Sequence, residues 1–315
     1  MINNILNFLI GLTLFIFGMN NLTNSFKKSN KDKIKNIIEK TNNKYKGVIV
    51  GTIITALIQS SSFVTILLVG LVDSGIMTLN STIGIIMGSN IGTCITSWII
   101  SLSSINKDIL SFLSLDNLIG IFAIISLLFL INKRHNKANI IFGIIILILG
   151  MNIMTESMSP LSNSPFFQNL LNYFSNPLLG LILGIILTGI FQSSSLIIGI
   201  LEGLSLTSNI SFLAGFTIIL GSNIGTCITA IIASSTTNKT SKIVSMFHLI
   251  FNIIGTLIFL IGFYILNYFF KFSFTYQTIN AFHIALIHTI FNIGSTIILL
   301  PFTNQLIKLS KKLIK

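Results

Sequence analysis

The residues of this chain that could do chemistry lie in two short blocks, and each block occurs twice. Gln59-Ser60-Ser61-Ser62 is followed, 29 positions after Gln59, by Gly88-Ser89-Asn90-Ile91-Gly92-Thr93-Cys94-Ile95-Thr96. Gln192-Ser193-Ser194-Ser195 and Gly221-Ser222-Asn223-Ile224-Gly225-Thr226-Cys227-Ile228-Thr229 repeat both blocks at an offset of 133. Hydroxyl and amide groups can donate hydrogen bonds to an oxyanion or offer oxygen to Na+. Neither block contains Lys, Arg, His, Asp or Glu. An anion bound there must therefore be held by dipoles and co-bound cations, which is a physical reason to expect coupled movement of the two. Ser, Thr and Gly also serve as packing glue between membrane helices. Duplication of two blocks in register favours a pair of ligand sets over glue.

The surroundings are those of a membrane protein. Of the 315 residues, 52% are hydrophobic and 8% charged, with a mean hydropathy of +0.91, well outside the soluble range. The apolar stretches run about 17 to 27 residues, enough for a helix to span a bilayer. Backbone in lipid must satisfy itself, so such runs predict helices. Residues 5–19 lack the basic lead-in and cleavage site of a secretory signal and read as a retained helix. The net charge of +12 is concentrated at 27–46, at Lys133, Arg134 and Lys137, at Lys239 and Lys242, and at Lys308, Lys311, Lys312 and Lys315. That clustering reads as cytoplasmic loops rather than a nucleic-acid surface, with anionic lipid as a second partner.

The duplication extends beyond the blocks. Gly18-Met19-Asn20 is echoed by Gly150-Met151-Asn152 at an offset of 132, and Asn117 and Gly120 by Asn252 and Gly255 at 135. Helix 5–19 precedes a basic run and is predicted to run inward, with the N-terminus outside. Its counterpart 139–155 follows a basic cluster and precedes residues 156–177, which carry no Lys or Arg, so it runs outward. The modules are thus inverted. With residue 46 and residues 132–137 both cytoplasmic and a closing helix at 118–131, residues 47–102 must cross a net odd number of times. Of the stretches 47–72 and 76–102, the first is expected to enter and leave on one side, and 178–203 and 209–234 repeat this. Helices at 246–270 and 280–302 then leave the C-terminus in the cytoplasm. The predicted fold is an all-α integral membrane protein of two inverted-topology repeats, 1–135 and 136–272. Each has a re-entrant helical hairpin and a broken helix, and 273–315 adds one C-terminal transmembrane helix with a basic tail. Helix ends in mid-membrane make ion sites, N–H groups for an anion and carbonyls for a cation. Glycines 88, 92, 221 and 225 would permit a helix break or a close backbone approach.

The paired Gln-Ser-Ser-Ser blocks, each followed by Gly-x-Asn-Ile-Gly-Thr, resemble the sodium-dependent phosphate cotransporters of the type II class and their bacterial relatives, over roughly residues 5–300. The resemblance implies Na+-driven symport of inorganic phosphate across the plasma membrane by alternating access. It gives a substrate set of Gln59, Ser60, Ser61, Ser62, Gln192, Ser193, Ser194, Ser195, Asn90 and Asn223. The corresponding sodium set is Ser61, Ser62, Thr93, Thr96, Ser194, Ser195, Thr226, Thr229 and Asp116. Animal members follow the first block pair with His-Asp-x-Phe-Asn, whose Asp is linked to a sodium site. Here the second module has His248-Leu249-Ile250-Phe251-Asn252 and the first Leu113-Ser114-Leu115-Asp116-Asn117, so Asp116 stands in a shifted position. Many bacterial relatives carry a C-terminal regulatory domain; this chain stops soon after its last predicted helix, and such regulation is not expected. Transport of another oxyanion, phosphate export and a non-transporting membrane sensor are the alternatives.

No nucleophile–base pair or metal-ligand cluster stands out in the blocks, so no catalytic residue and no cofactor beyond Na+ as co-transported ion is expected. Cys94 and Cys227 occupy equivalent places and read as duplicates rather than a disulfide. His248, His283 and His288 read as packed or interfacial residues, Asp73 and Glu202 as acids in water at a hairpin mouth, Trp98 as an interfacial anchor, and the phenylalanines as lipid-facing bulk.

Overall fold

The computed structural model describes residues 2–103, 115–162, 169, 173–208 and 210–314. Among these are twelve α-helices: α1 (Ile2–Glu39), α2 (Lys44–Ile58), α3 (Ser61–Asp73), α4 (Leu79–Ser103), α5 (Leu115–Ile131), α6 (His135–Ser162), α7 (Pro177–Phe191), α8 (Ser194–Ser205), α9 (Phe212–Ser234), α10 (Lys239–Phe270), α11 (Ala281–Leu299) and α12 (Thr303–Leu313). Six segments are long and apolar enough to cross a membrane: Asn3–Lys28, Leu79–Leu102, His135–Met158, Phe212–Ser234, Lys239–Phe270 and Ala281–Leu313. The helices at Ser61–Asp73, Pro177–Phe191 and Ser194–Ser205 are apolar but shorter, below the roughly 20 residues a span needs.

Glycines set how the helices meet. A Cβ on Gly11 would strike the backbone of Gly150 and Met154, and one on Gly18 that of Gly143 and Leu147; Gly143 and Gly150 are blocked in return by Gly18 and Gly11. Residue numbers rise along α1 as they fall along α6, so these two helices pack antiparallel on a seam of four glycines. The contacts of α2 with α4 have the opposite sense. Gly84 abuts Lys44, Gly88 abuts Val48 and Gly92 abuts Thr52, so α2 and α4 run parallel, and α3 must carry the chain back between them. The second half repeats this arrangement, with Gly221 against Leu181 and Gly225 against Ile185. Each short pair, α2–α3 and α7–α8, is therefore a hairpin whose tip is the Gln-Ser-Ser-Ser block.

Three sequence expectations change. The broken helix expected at each Gly-Ser-Asn segment is absent: α4 and α9 run unbroken through Gly88–Thr96 and Gly221–Thr229. Those glycines are used for close packing, and no proline interrupts the helical ladder there. The basic run expected as a loop is largely the second half of α1, because 20–39 holds neither Gly nor Pro to stop the helix. The phenylalanines are not all lipid-facing, since Phe15, Phe247, Phe251 and Phe291 are fully buried. The helix packed on α4 as α10 packs on α9 is α11, whereas α5 packs on α6. This shows in matched bonds: Asn252 Nδ2 lies 3.2 Å from Cys227 Sγ, and Asn292 Nδ2 lies 3.5 Å from Cys94 Sγ.

Candidate functional site

Each Gln-Ser-Ser-Ser block makes the same local turn. α2 ends on Gln59 at φ 60°, ψ 30° and α7 ends on Gln192 at φ 53°, ψ 27°, the left-handed region that a residue with a Cβ enters at a cost of order 1–3 kcal/mol. The next residue is extended and caps the following helix. Ser60 Oγ accepts from Phe63 N at 3.3 Å, and Ser193 Oγ from Leu196 N at 3.2 Å. The first serine of each block is thus an N-cap, and the second and third open α3 or α8, with N–H groups that have no acceptor within the helix. A chain that turns back inside apolar surroundings needs this break, and the same four residues place two orphan donors and two hydroxyls at each tip.

The two tips meet. Ser62 Oγ donates to the carbonyl of Gln192 at 3.2 Å, and both blocks line one cavity of about 230 Å³. The remaining wall is one face of α1, with Asn20, Thr23, Asn24 and Lys27 beside Ile16 and Met19. Two helix N-termini aimed into one small space favour an anion. Lys27 adds the fixed positive charge that the blocks lack; its ammonium sits 4.1 Å above the Phe63 ring, a geometry that holds the cation in place.

Among the sodium candidates, Thr96 joins the two halves. Its hydroxyl donates to Gln59 Oε1 and lies 3.4 Å from Ser195 Oγ. Thr93, Thr226 and Thr229 bond back to the carbonyls of Ser89, Ser222 and Thr226 at 3.0, 3.0 and 2.9 Å. The side chain of Asp116 lies outside the described residues. Asn90 and Asn223 stand behind the cavity wall: Asn90 bonds Asn252 at 2.8 Å and His248 Nε2 at 3.2 Å, and Asn223 bonds the Ile219 carbonyl at 2.9 Å.

The same description matches a known family. The model of the Na+/Pi-cotransporter family fits the chain twice, at residues 14–156 and 146–286. The chain belongs to this family. With six helices long and apolar enough to span, it is a multi-pass membrane protein of a phosphate-transporting family. YqeW of Bacillus subtilis, an uncharacterized protein, is 27% identical over 80% of both chains. The sodium-dependent phosphate transport protein 2A of Oryctolagus cuniculus is 40% identical over 95 residues, 29% of this chain and 15% of its own. YjbB of Escherichia coli K12, a candidate inorganic phosphate export protein, is 22% identical over 83% of this chain and 47% of its own. The chain thus spans between 15% and 56% of the length of the relatives whose names state a transport activity. No solved structure matches it.

The sequence reading missed the α1 face. Asn20 falls in the Gly18-Met19-Asn20 echo, but in the sequence Lys27 reads as topology along with its basic neighbours. The other candidates divide. His248 and His288 are buried at 0% and 1% exposure, as expected of packed residues, and His283 closes a capping box with Asn280 on α11. Trp98 donates from Nε1 to Thr289 Oγ1 at 2.9 Å. Asp73 is exposed and accepts from Asn238 N at 2.7 Å at the start of α10. Glu202 is not in water at all: it is 0% exposed, with Ser97 Oγ donating to its Oε1. α8 packs on α4, α6, α9 and α11, and its acid is enclosed among them.

Proposed function

We propose that this protein is a Na+-coupled symporter of inorganic phosphate in the plasma membrane, working by alternating access between two inverted repeats. The observation that carries the reading is the convergence of both Gln-Ser-Ser-Ser tips on one cavity. Phosphate would sit among the N–H groups and hydroxyls of Ser60–Ser62 and Ser193–Ser195 with the Gln59 and Gln192 amides, and Lys27 would complement its charge. Na+ would be held by the oxygens around Thr96, Gln59 and Ser195, at the seam of the two halves, with Ser61, Ser62 and Ser194 within the same tips. Asn90 and Asn223 would act from behind, holding α4 and α9 in place. The antiparallel α1–α6 pair supports inversion, since these are the leading helices of the two modules. The hairpins α2–α3 and α7–α8 would then be re-entrant, one from each face, with the basic segments and the C-terminus cytoplasmic and the N-terminus outside.

The test is uptake of radiolabelled phosphate by the purified chain in liposomes, with an inward Na+ gradient or with choline in its place. Gradient-dependent uptake is expected; uptake indifferent to Na+ would remove the symport claim. Likeness to YjbB favours a second reading, phosphate export through the same site. Efflux from preloaded vesicles that exceeds uptake under mirrored gradients would select it. Competition by sulfate and arsenate reports on the choice of oxyanion.

A further inference from the structure

Among the described residues Glu202 is the one acid enclosed in the helical core, and the phosphate site makes no use of it. It lies seven residues beyond Ser195 on α8, about two turns along the same face. Ser97 of α4 donates to its Oε1, while Oε2 is buried without a partner. The two-fold repeat provides an internal control. At the offset of 133, Glu202 corresponds to Val69 of α3 and Ser97 to Ala230 of α9. Val69 and Ala230 are both buried, and α3 packs on α9 as α8 packs on α4. Packing at this interface therefore needs neither an acid nor a hydroxyl, and only one of its two copies has them.

An ionised carboxylate removed from water requires a compensating charge. The elements packed on α8 do not supply one. α4 offers Cys94, α6 offers His135, Lys137 and Glu156 near its ends, α7 offers no titratable group, α9 offers Cys227, and α11 offers His283 and His288. α1 touches Gly199 through Phe15 and carries no charge before Lys27. Among the described residues the one ion pair is Lys35–Glu39, and no basic side chain reaches Glu202.

We propose that Glu202 and Ser97 form a monovalent-cation site, present once per molecule, whose occupant neutralises the carboxylate at Oε2. The occupant is a proton or Na+. Thr96, the neighbour of Ser97, contacts both Gln59 and Ser195, so occupancy at Glu202 is felt one residue away from the contact that joins the two tips. This goes beyond the phosphate reading and does not depend on it.

The test uses the full chain in lipid and compares wild type with Glu202→Gln by infrared spectroscopy and thermal unfolding, in choline chloride and in NaCl. A protonated-carboxyl absorption in choline that Glu202→Gln abolishes identifies the proton. Its loss on adding NaCl, or a rise in Tm with NaCl that Glu202→Gln abolishes, identifies Na+. Absence of that absorption together with an equal Na+ response in both proteins overturns the proposal. If Glu202→Gln does not fold, Glu202→Val with Ser97→Ala, which copies the Val69–Ala230 interface, supplies the same subtraction. Ser97→Ala alone keeps the carboxyl and is expected to shift its absorption. Neither readout involves phosphate, so a chain that failed to carry phosphate would leave the result intact.

Discussion

The first and second halves of this protein carry identical blocks and use them differently. Gln59 is buried and its side chain is tied to Thr96 and to the Ala56 carbonyl, whereas Gln192 is exposed and its counterpart Thr229 bonds back to its own helix. The α1 face lines the cavity with Asn20, Thr23, Asn24 and Lys27, while the matching stretch of α6 does not, and its Thr155 lies 3.4 Å from the Gly203 carbonyl instead. Even the support differs: Thr188 and Ser222 share a 2.8 Å hydrogen bond, and Thr55, the equivalent of Thr188, has a buried hydroxyl with no partner. Sequence symmetry thus sets a shared backbone frame, and the side-chain bonding selects one of two rotation-related ways to fill it. In an alternating-access carrier, the opposite state would exchange these roles.

The largest effect tests the frame. Gly88→Leu and Gly221→Leu each drive a side chain into the backbone of the adjacent hairpin. Each should lose about 3 kcal/mol or more, and with it folded protein in size-exclusion chromatography. Equal losses are expected, and tolerance at only one site would break the shared frame. Next come the tips: Ser61→Ala and Ser194→Ala should each abolish phosphate flux with an unchanged melting profile. Normal flux in both would return these serines to a packing role. The glutamines separate the halves. Gln59→Ala leaves the buried Thr96 hydroxyl short of an acceptor and should cost about 1–3 kcal/mol in thermal unfolding, while Gln192→Ala should cost almost nothing, although both reduce flux. Equal destabilisation would contradict the asymmetry. The smallest effect is at Lys27. Lys27→Met should weaken phosphate binding about tenfold, some 1.4 kcal/mol, and the deficit should shrink at high salt. Lys27→Arg should retain most of the affinity.

Much of this was legible in the sequence because the blocks are copied in register. The doubled Gln-Ser-Ser-Ser marks the two hairpin tips, and the lysine distribution orients residues 5–19 and 139–155 in opposite senses. What was not legible depended on contacts between distant helices. A glycine that permits a break and a glycine that admits a neighbouring backbone look the same in one dimension, so α4 and α9 were expected broken and are whole. Lys27 belongs to a run of eight basic residues, and only the pitch of an α1 continuing to Glu39 turns it toward the cavity. Glu202 sits near the end of an apolar helix, where water was the simpler expectation until α4 closed over it. The helix that packs on α4 is not the next along the chain, since α11 arrives from far downstream.

The left-handed glutamines set a limit on engineering this protein. At Gln59 and Gln192 the backbone would be more relaxed as glycine, which enters that region freely. Gln192→Gly, where no side-chain bond is lost, should raise Tm while removing an amide from the cavity. A library ranked only by heat resistance would therefore enrich a variant that survives well and transports poorly, and useful stabilisation has to be sought away from the two tips.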